Sequence, residues 1–145
     1  MSFALDANVL IYASYPESPH HDAAQRFLAE CIERPELLCL PWQTVAAYLR
    51  VSTHTGLFAK PLDPARAAQN VDALLRRPRT RVLVEQDGFW EVYRDLLETH
   101  RARAKLVHDV HLAALLRQHG VKTLYTRDRD FWRFEFLDVR DPFAS

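Results

Sequence analysis

The chain has 145 residues, 48% of them apolar and 26% charged, with nineteen Lys and Arg against nineteen Asp and Glu. This composition excludes a disordered tail, and residues 1–145 are expected to form one domain that buries roughly 68–70% of its unfolded surface. Zero formal charge offers no overall basic field for nucleic acid, and the three scattered glycines, Gly56, Gly88 and Gly120, exclude a P-loop and a dinucleotide fingerprint.

Phe3–Leu5 reads as a buried first strand that stops at Asp6, and Asn8–Tyr15 as a short helix. Ser18 and Pro19 suit an N-cap and first helical position. Ala23, Ala24, Phe27, Leu28, Cys31 and Ile32 then recur at helical spacing, so a helix is predicted to about Glu33. Leu37–Leu40 is a second buried strand, and Pro41 opens a helix running to about Thr55, with Gly56 as its stop. Asp63-Pro64 starts the next helix, which Pro78 terminates. Arg81–Val84 reads as a third strand, and Asp87 as the cap of a helix carrying Phe89, Trp90, Tyr93, Leu96 and Leu97. Asp109–His119 is a further helix stopped at Gly120, followed by strands at Lys122–Thr126 and Leu137–Val139. Short strands alternating with amphipathic helices predict an α/β fold with a parallel sheet.

Cys31 and Cys39 make no disulfide framework, so a reduced compartment is expected. Asp6 interrupts the N-terminal apolar run, and no stretch reaches the ~20 residues needed to span a bilayer. The chain is therefore expected to be cytoplasmic, with no membrane partner.

In open α/β sheets, sites form beyond the carboxyl ends of the strands. Asp6 lies at the end of the first strand, Asp128 two residues past the fourth, and Asp109 at the start of a helix. Each alone is more readily a cap or a solvated charge. Together they would raise one another's pKa unless a cation intervened. Oxygen ligands suit Mg²⁺ or Mn²⁺ and can support phosphodiester hydrolysis.

Leu5-Asp6-Ala7-Asn8-Val9-Leu10-Ile11-Tyr12 resembles the opening of a PIN domain. Asp109-Val110-His111-Leu112-Ala113-Ala114-Leu115, then His119-Gly120, then Thr126-Arg127-Asp128-Arg129-Asp130-Phe131 resemble its second half. Leu40-Pro41-Trp42 and Leu49-Arg50-Val51-Ser52-Thr53-His54 are similar to one branch of the VapC toxins of toxin–antitoxin pairs. The resemblance spans about Phe3 to Pro142. It implies a three-layer α/β/α fold with a parallel sheet of about five strands. It also implies an Mg²⁺- or Mn²⁺-dependent endoribonuclease toxin acting on structured or loop RNA, a homodimer, and a VapB-type antitoxin partner. Asp6, Asp109 and Asp128 match the family's acidic residues, and Asn8 and Thr126 its site-lining polar positions. Ala47 stands where a Glu is expected, which leaves the metal count open; Asp130 is the nearest substitute ligand, or else a cap for the turn before Phe131.

His108 and His111 share a helix face, but a zinc site would need a third nitrogen or sulfur ligand, so flanking the acids, solvating the helix start or reaching RNA phosphates is favoured. Arg101, Arg103 and Lys105 form a basic run leading into Asp109, a candidate RNA contact or simply a solvated surface on an Arg-rich chain. Arg50 could serve the site or pair with an acid there, and Trp42, at the end of the second strand, could stack a base. Two rivals remain. One is a PIN fold that binds RNA or protein without cutting, motivated by Ala47. The other is a strand-end Asp phosphatase, disfavoured because Asn8 holds the place of its second Asp.

Overall fold

The computed structural model describes residues 1–144. Its N-terminal apolar run folds as β1 (Ser2–Leu5), and the other strands are β2 (Leu37–Pro41), β3 (Thr80–Leu83), β4 (Thr123–Tyr125) and β5 (Asp138–Arg140). All pair in parallel, in the order β3-β2-β1-β4-β5. Strand alternation divides the core between the two faces. Phe3, Leu5, Leu38, Leu40 and Tyr125 face one side; there they meet α1 (Ala7–Ser14), α2 (His21–Glu33), α3 (Trp42–Ser52) and α4 (Pro64–Leu75) through Val9, Phe27, Tyr48 and Val71. Ala4, Cys39 and Leu124 face the other side, where α5 (Phe89–Thr99) and α6 (Lys105–Gln118) contribute Leu96, Val110, Ala113 and Leu116. The result is the three-layer α/β/α arrangement.

Chain order gives the sheet a switch point. From β1 the chain moves outward to β2 and β3, then returns to place β4 on the other side of β1. The crevice beyond the carboxyl ends of β1 and β4 is where such sheets hold ligands.

Several element ends differ from expectation. Ser18 accepts a bond from the His20 N–H at 3.1 Å instead of capping, so α2 starts at His21. In α3, Thr53 folds its hydroxyl back to the Leu49 carbonyl at 2.7 Å, and the helix ends before Gly56. Gly88, at φ 83, takes the cap position of α5 in place of Asp87. Strands β3 and β5 are each displaced by one residue. Asp63 behaves as expected, its Oδ1 accepting from the Ala65 N–H at 2.9 Å. The largest difference is α6, which begins at Lys105, four residues before Asp109. Arg101 and Ala104 turn the chain through positive φ (48° and 52°) without a glycine, a turn no sequence signal announces. No helix among the described residues is long and apolar enough to cross a membrane.

Candidate active site

Asp6 is the residue after β1 and the N-cap of α1, where its Oδ1 accepts from the Ala7 N–H at 2.7 Å. Its Oδ2 accepts from the Thr126 hydroxyl, also at 2.7 Å. Thr126 follows β4 and is buried. The same hydroxyl accepts from Asn8 Nδ2 at 3.3 Å and from the Asp128 N–H at 3.0 Å. One side chain thus ties the ends of the two central strands and both polar positions beside them. Asn8 Oδ1 is buried without a partner among the described residues.

Asp128 opens the short 3-10 turn Arg129–Arg133, its Oδ1 accepting from the Asp130 N–H at 2.9 Å. The cap of this turn is therefore Asp128, which frees the Asp130 carboxylate. Asp109 lies in the second turn of α6, not at its start, with its side chain only 7% exposed. Asp109, Asp128 and Asp130 each offer an oxygen, and the three oxygens lie within 4.8 Å of one another. No such trio includes Asp6 among the described residues. Asp6 instead shares a cavity of about 160 Å³ with Asp109, Asp128, Thr44 and Ala47. Ala47 presents a methyl group to this cavity where the resemblance expects a carboxylate.

A cation already sits among the three acids. Lys105 Nζ, on the first residue of α6, donates to Asp128 Oδ2 at 2.8 Å, Asp109 Oδ2 at 3.0 Å and Asp130 Oδ2 at 3.3 Å. Neither an RNA contact nor a solvated surface, the two roles its sequence setting suggests, describes this placement, in which Lys105 neutralises the acids. The i,i+4 spacing of Lys105 and Asp109 would have signalled the pair had the helix start been placed at 105. Burial disfavours the charged ammonium, but its bonds to Asp128, Asp109 and Asp130 outweigh that and raise its pKa. Burial likewise tends to raise Asp128, yet the Lys105 bond and the Asp130 N–H hold its carboxyl below the usual range. At Asp6 burial dominates, and it raises the pKa against the bonds from Thr126 and Ala7; the charges of Asp128 and Asp109 add to the rise.

The histidines part company. His108 is exposed at the cavity rim, and its carbonyl accepts from Gln43 Nε2 at 3.2 Å. His111 turns away from the acids: one ring nitrogen meets Gln43 Oε1 and the other lies 2.8 Å from Glu85 Oε1. The rings of Phe89 and Tyr93 pack edge-on against it at 5.2 and 5.3 Å. Both of its ring nitrogens are thus engaged by side chains of the protein, and among the described residues the acidic trio that could hold a metal ion includes neither His108 nor His111. Gln43 and Glu85, which hold it, carry no motif that sequence could flag. Arg101 and Arg103 are exposed on the turn before α6, Arg50 is exposed in the last turn of α3, and Trp42, at the first residue of α3, is 50% exposed. A larger cleft of about 630 Å³ opens between α1, α2, α3 and α4, lined by Leu10, Leu28, Ile32, Tyr48 and Leu74, and holds none of the site carboxylates.

A sequence model of the PIN domain matches residues 3–137. Ribonuclease VapC48 of Mycobacterium tuberculosis is 41% identical over 145 residues, covering 100% of both chains. The crystal structure of M. tuberculosis VapC20, described as a sarcin-ricin loop cleaving toxin, superposes with a TM-score of 0.70 at 18% identity, over 96% of this chain and 99% of that one. VapBC-1 from nontypeable Haemophilus influenzae superposes with a TM-score of 0.66 at 18% identity, over 99% and 100% of the two chains. The two structures show a shared fold.

Proposed function

The chain belongs to the PIN domain family, and from that membership we propose how its carboxylates serve the cutting of RNA. It is an endoribonuclease of the VapC type, the toxin of a toxin–antitoxin pair. The observation that carries the proposal is the convergence of Asp109, Asp128 and Asp130 on one cation-sized point, with Asp6 at the same cavity.

The donor set fits a divalent metal ion. Its ligands are all carboxylate oxygens, and an ammonium held by all three acids marks the place where positive charge is stabilised. Such a set favours Mg²⁺ or Mn²⁺ over Zn²⁺. When bound, the ion supplies Lewis-acid neutralisation of charge on the phosphodiester and lowers the pKa of a water.

Asp109, Asp128 and Asp130 would hold the ion. Asp109 is rigid because its helix is packed into the core, and Asp128 because its backbone N–H is tied to Thr126. Asp6 is fixed at both oxygens by Ala7 and Thr126, so it presents its charge to the cavity in one direction. Asn8, through Thr126, keeps that linkage in place. Arg101, Arg103, Arg50 and His108 are exposed around this edge and are assigned to RNA phosphates, with Trp42 as a stacking surface for an unpaired base. Loop or structured RNA suits such a surface, because splayed bases are the usual specific target. We further assign residues 1–145 to one PIN-like domain, and the protein to the cytoplasm as a homodimer held inactive by a VapB-type antitoxin.

Purified protein with Mg²⁺ or Mn²⁺ is expected to cut cellular RNA, and sequencing of the new ends would report the target. Asp128→Asn and Asp6→Asn are expected to slow cutting by about a hundredfold or more, since each removes charge stabilisation worth several kcal/mol. A protein that binds RNA but cuts none with either ion, in a preparation whose variants behave identically, would support the non-catalytic binding module instead.

A further inference from the structure

A divalent ion and the Lys105 ammonium compete for the same three carboxylates. The ammonium lies 2.8–3.3 Å from one oxygen each of Asp128, Asp109 and Asp130, inside the cluster assigned above to the metal. Two positive charges cannot share that space. We propose that Lys105 is the site's internal counter-cation: it holds the metal-free carboxylates together and must leave them before a divalent ion binds. It thereby sets the metal concentration at which the nuclease operates. This rests on the carboxylates being the metal site.

Three observations support the role. Lys105 is the first residue of α6, where the positive end of a helix disfavours a cation, so its position is explained by the acids and not by the helix. Its side chain is 64% exposed, so it has a way out to solvent, whereas Asp109 is 7% exposed and fixed. The turn that delivers it passes through Ala104 at φ 52, a conformation an alanine adopts only under tertiary constraint. The carboxylates in contact with the ammonium are Asp109, Asp128 and Asp130, with Asp6 lining the same cavity, so its departure leaves their mutual repulsion uncompensated until another cation arrives.

The consequence is a state in which the ammonium is out and the acids can take metal. If that state is populated to about a tenth, apparent metal affinity falls about tenfold. Removing the ammonium removes the penalty.

The test is calorimetric titration of the full chain with Mn²⁺, without RNA, for wild type, Lys105→Met, Lys105→Gln, Lys105→Arg and Asp128→Asn. Lys105→Met and Lys105→Gln are expected to bind Mn²⁺ about tenfold more tightly, while Lys105→Arg stays near wild type. In metal-free buffer the two neutral variants are expected to melt below wild type, and saturating Mn²⁺ is expected to close the gap. A purely structural role would weaken metal binding on substitution, which is the opposite sign. Unchanged or weaker Mn²⁺ binding in both folded neutral variants overturns the proposal and leaves the metal site standing, provided Asp128→Asn abolishes the heat. Absence of Mn²⁺ binding in wild type and variants alike overturns the metal site, and the proposal with it.

Discussion

The Thr126 hydroxyl donates to Asp6 Oδ2 at 2.7 Å, and that bond spans the switch point between the ends of β4 and β1. Because the same oxygen accepts from Asn8 and from the Asp128 N–H, three elements lose their alignment if it is removed. Thr126→Val keeps the shape but leaves buried groups unpaired. It is expected to cost about 1–3 kcal/mol in urea unfolding and to slow RNA cutting in parallel. Thr126→Ser should restore most of both, and a Val variant as stable and active as wild type would remove Thr126 from the site's framework.

Ala47 lines the cavity that holds Asp6, Asp109 and Asp128. Ala47→Glu introduces a carboxylate there. Metal affinity in oxygen sites rises with ligand charge, so Mn²⁺ binding by calorimetry is expected to tighten on the order of tenfold. The metal-free protein is expected to melt lower, because the new charge repels its neighbours. Equal affinity and equal melting would show that position 47 does not reach the site.

Ala104 has φ 52 and ψ −126, a region favourable only to glycine. Ala104→Gly is expected to raise stability by about 0.5–1 kcal/mol, the relieved strain exceeding the added chain entropy. Ala104→Val is expected to lower it by more than about 1 kcal/mol. Denaturant midpoints of the two variants read the difference directly, and the order Gly above Ala above Val is the result at stake.

Burial pushes the Cys31 thiol up to about 12, the Arg34 charge opposing only in part, and burial also raises Cys39. The thiolate is the nucleophile, so a raised pKa leaves both thiols neutral and inert at neutral or mildly alkaline pH. An aromatic disulfide reagent at about pH 8 is expected to titrate neither cysteine in the native protein and both in guanidinium. Rapid native labelling would contradict the buried placement of both side chains.

The helices and strands were legible where their signals are local. Asp63-Pro64 opens α4, and the apolar spacing through Ala24, Phe27 and Cys31 marks the buried face of α2. Asp6 could be placed at a site edge because the end of a buried strand and the carboxylate after it are adjacent in the chain. The start of α6 was not legible: Arg101 and Ala104 form its turn at positive φ, and neither residue type announces that conformation. With a helix beginning at Asp109, Lys105 lies outside it and the i,i+4 relationship of Lys105 to Asp109 has no local signature.

Local patterning thus determined most of the elements and the α/β class, because periodicity and caps act between residues within a few positions of one another, and it put Asp6 and Asp128 at the ends of strands. Tertiary structure alone decided which charges meet. It placed β4 beside β1, drew Asp130 toward Asp109, turned His111 to Gln43 and Glu85, and set Lys105 among three carboxylates. Electrostatic partnership falls off with distance in space, not along the chain. Lys105 and Asp128 are therefore partners only once α6 and the end of β4 have been packed against each other.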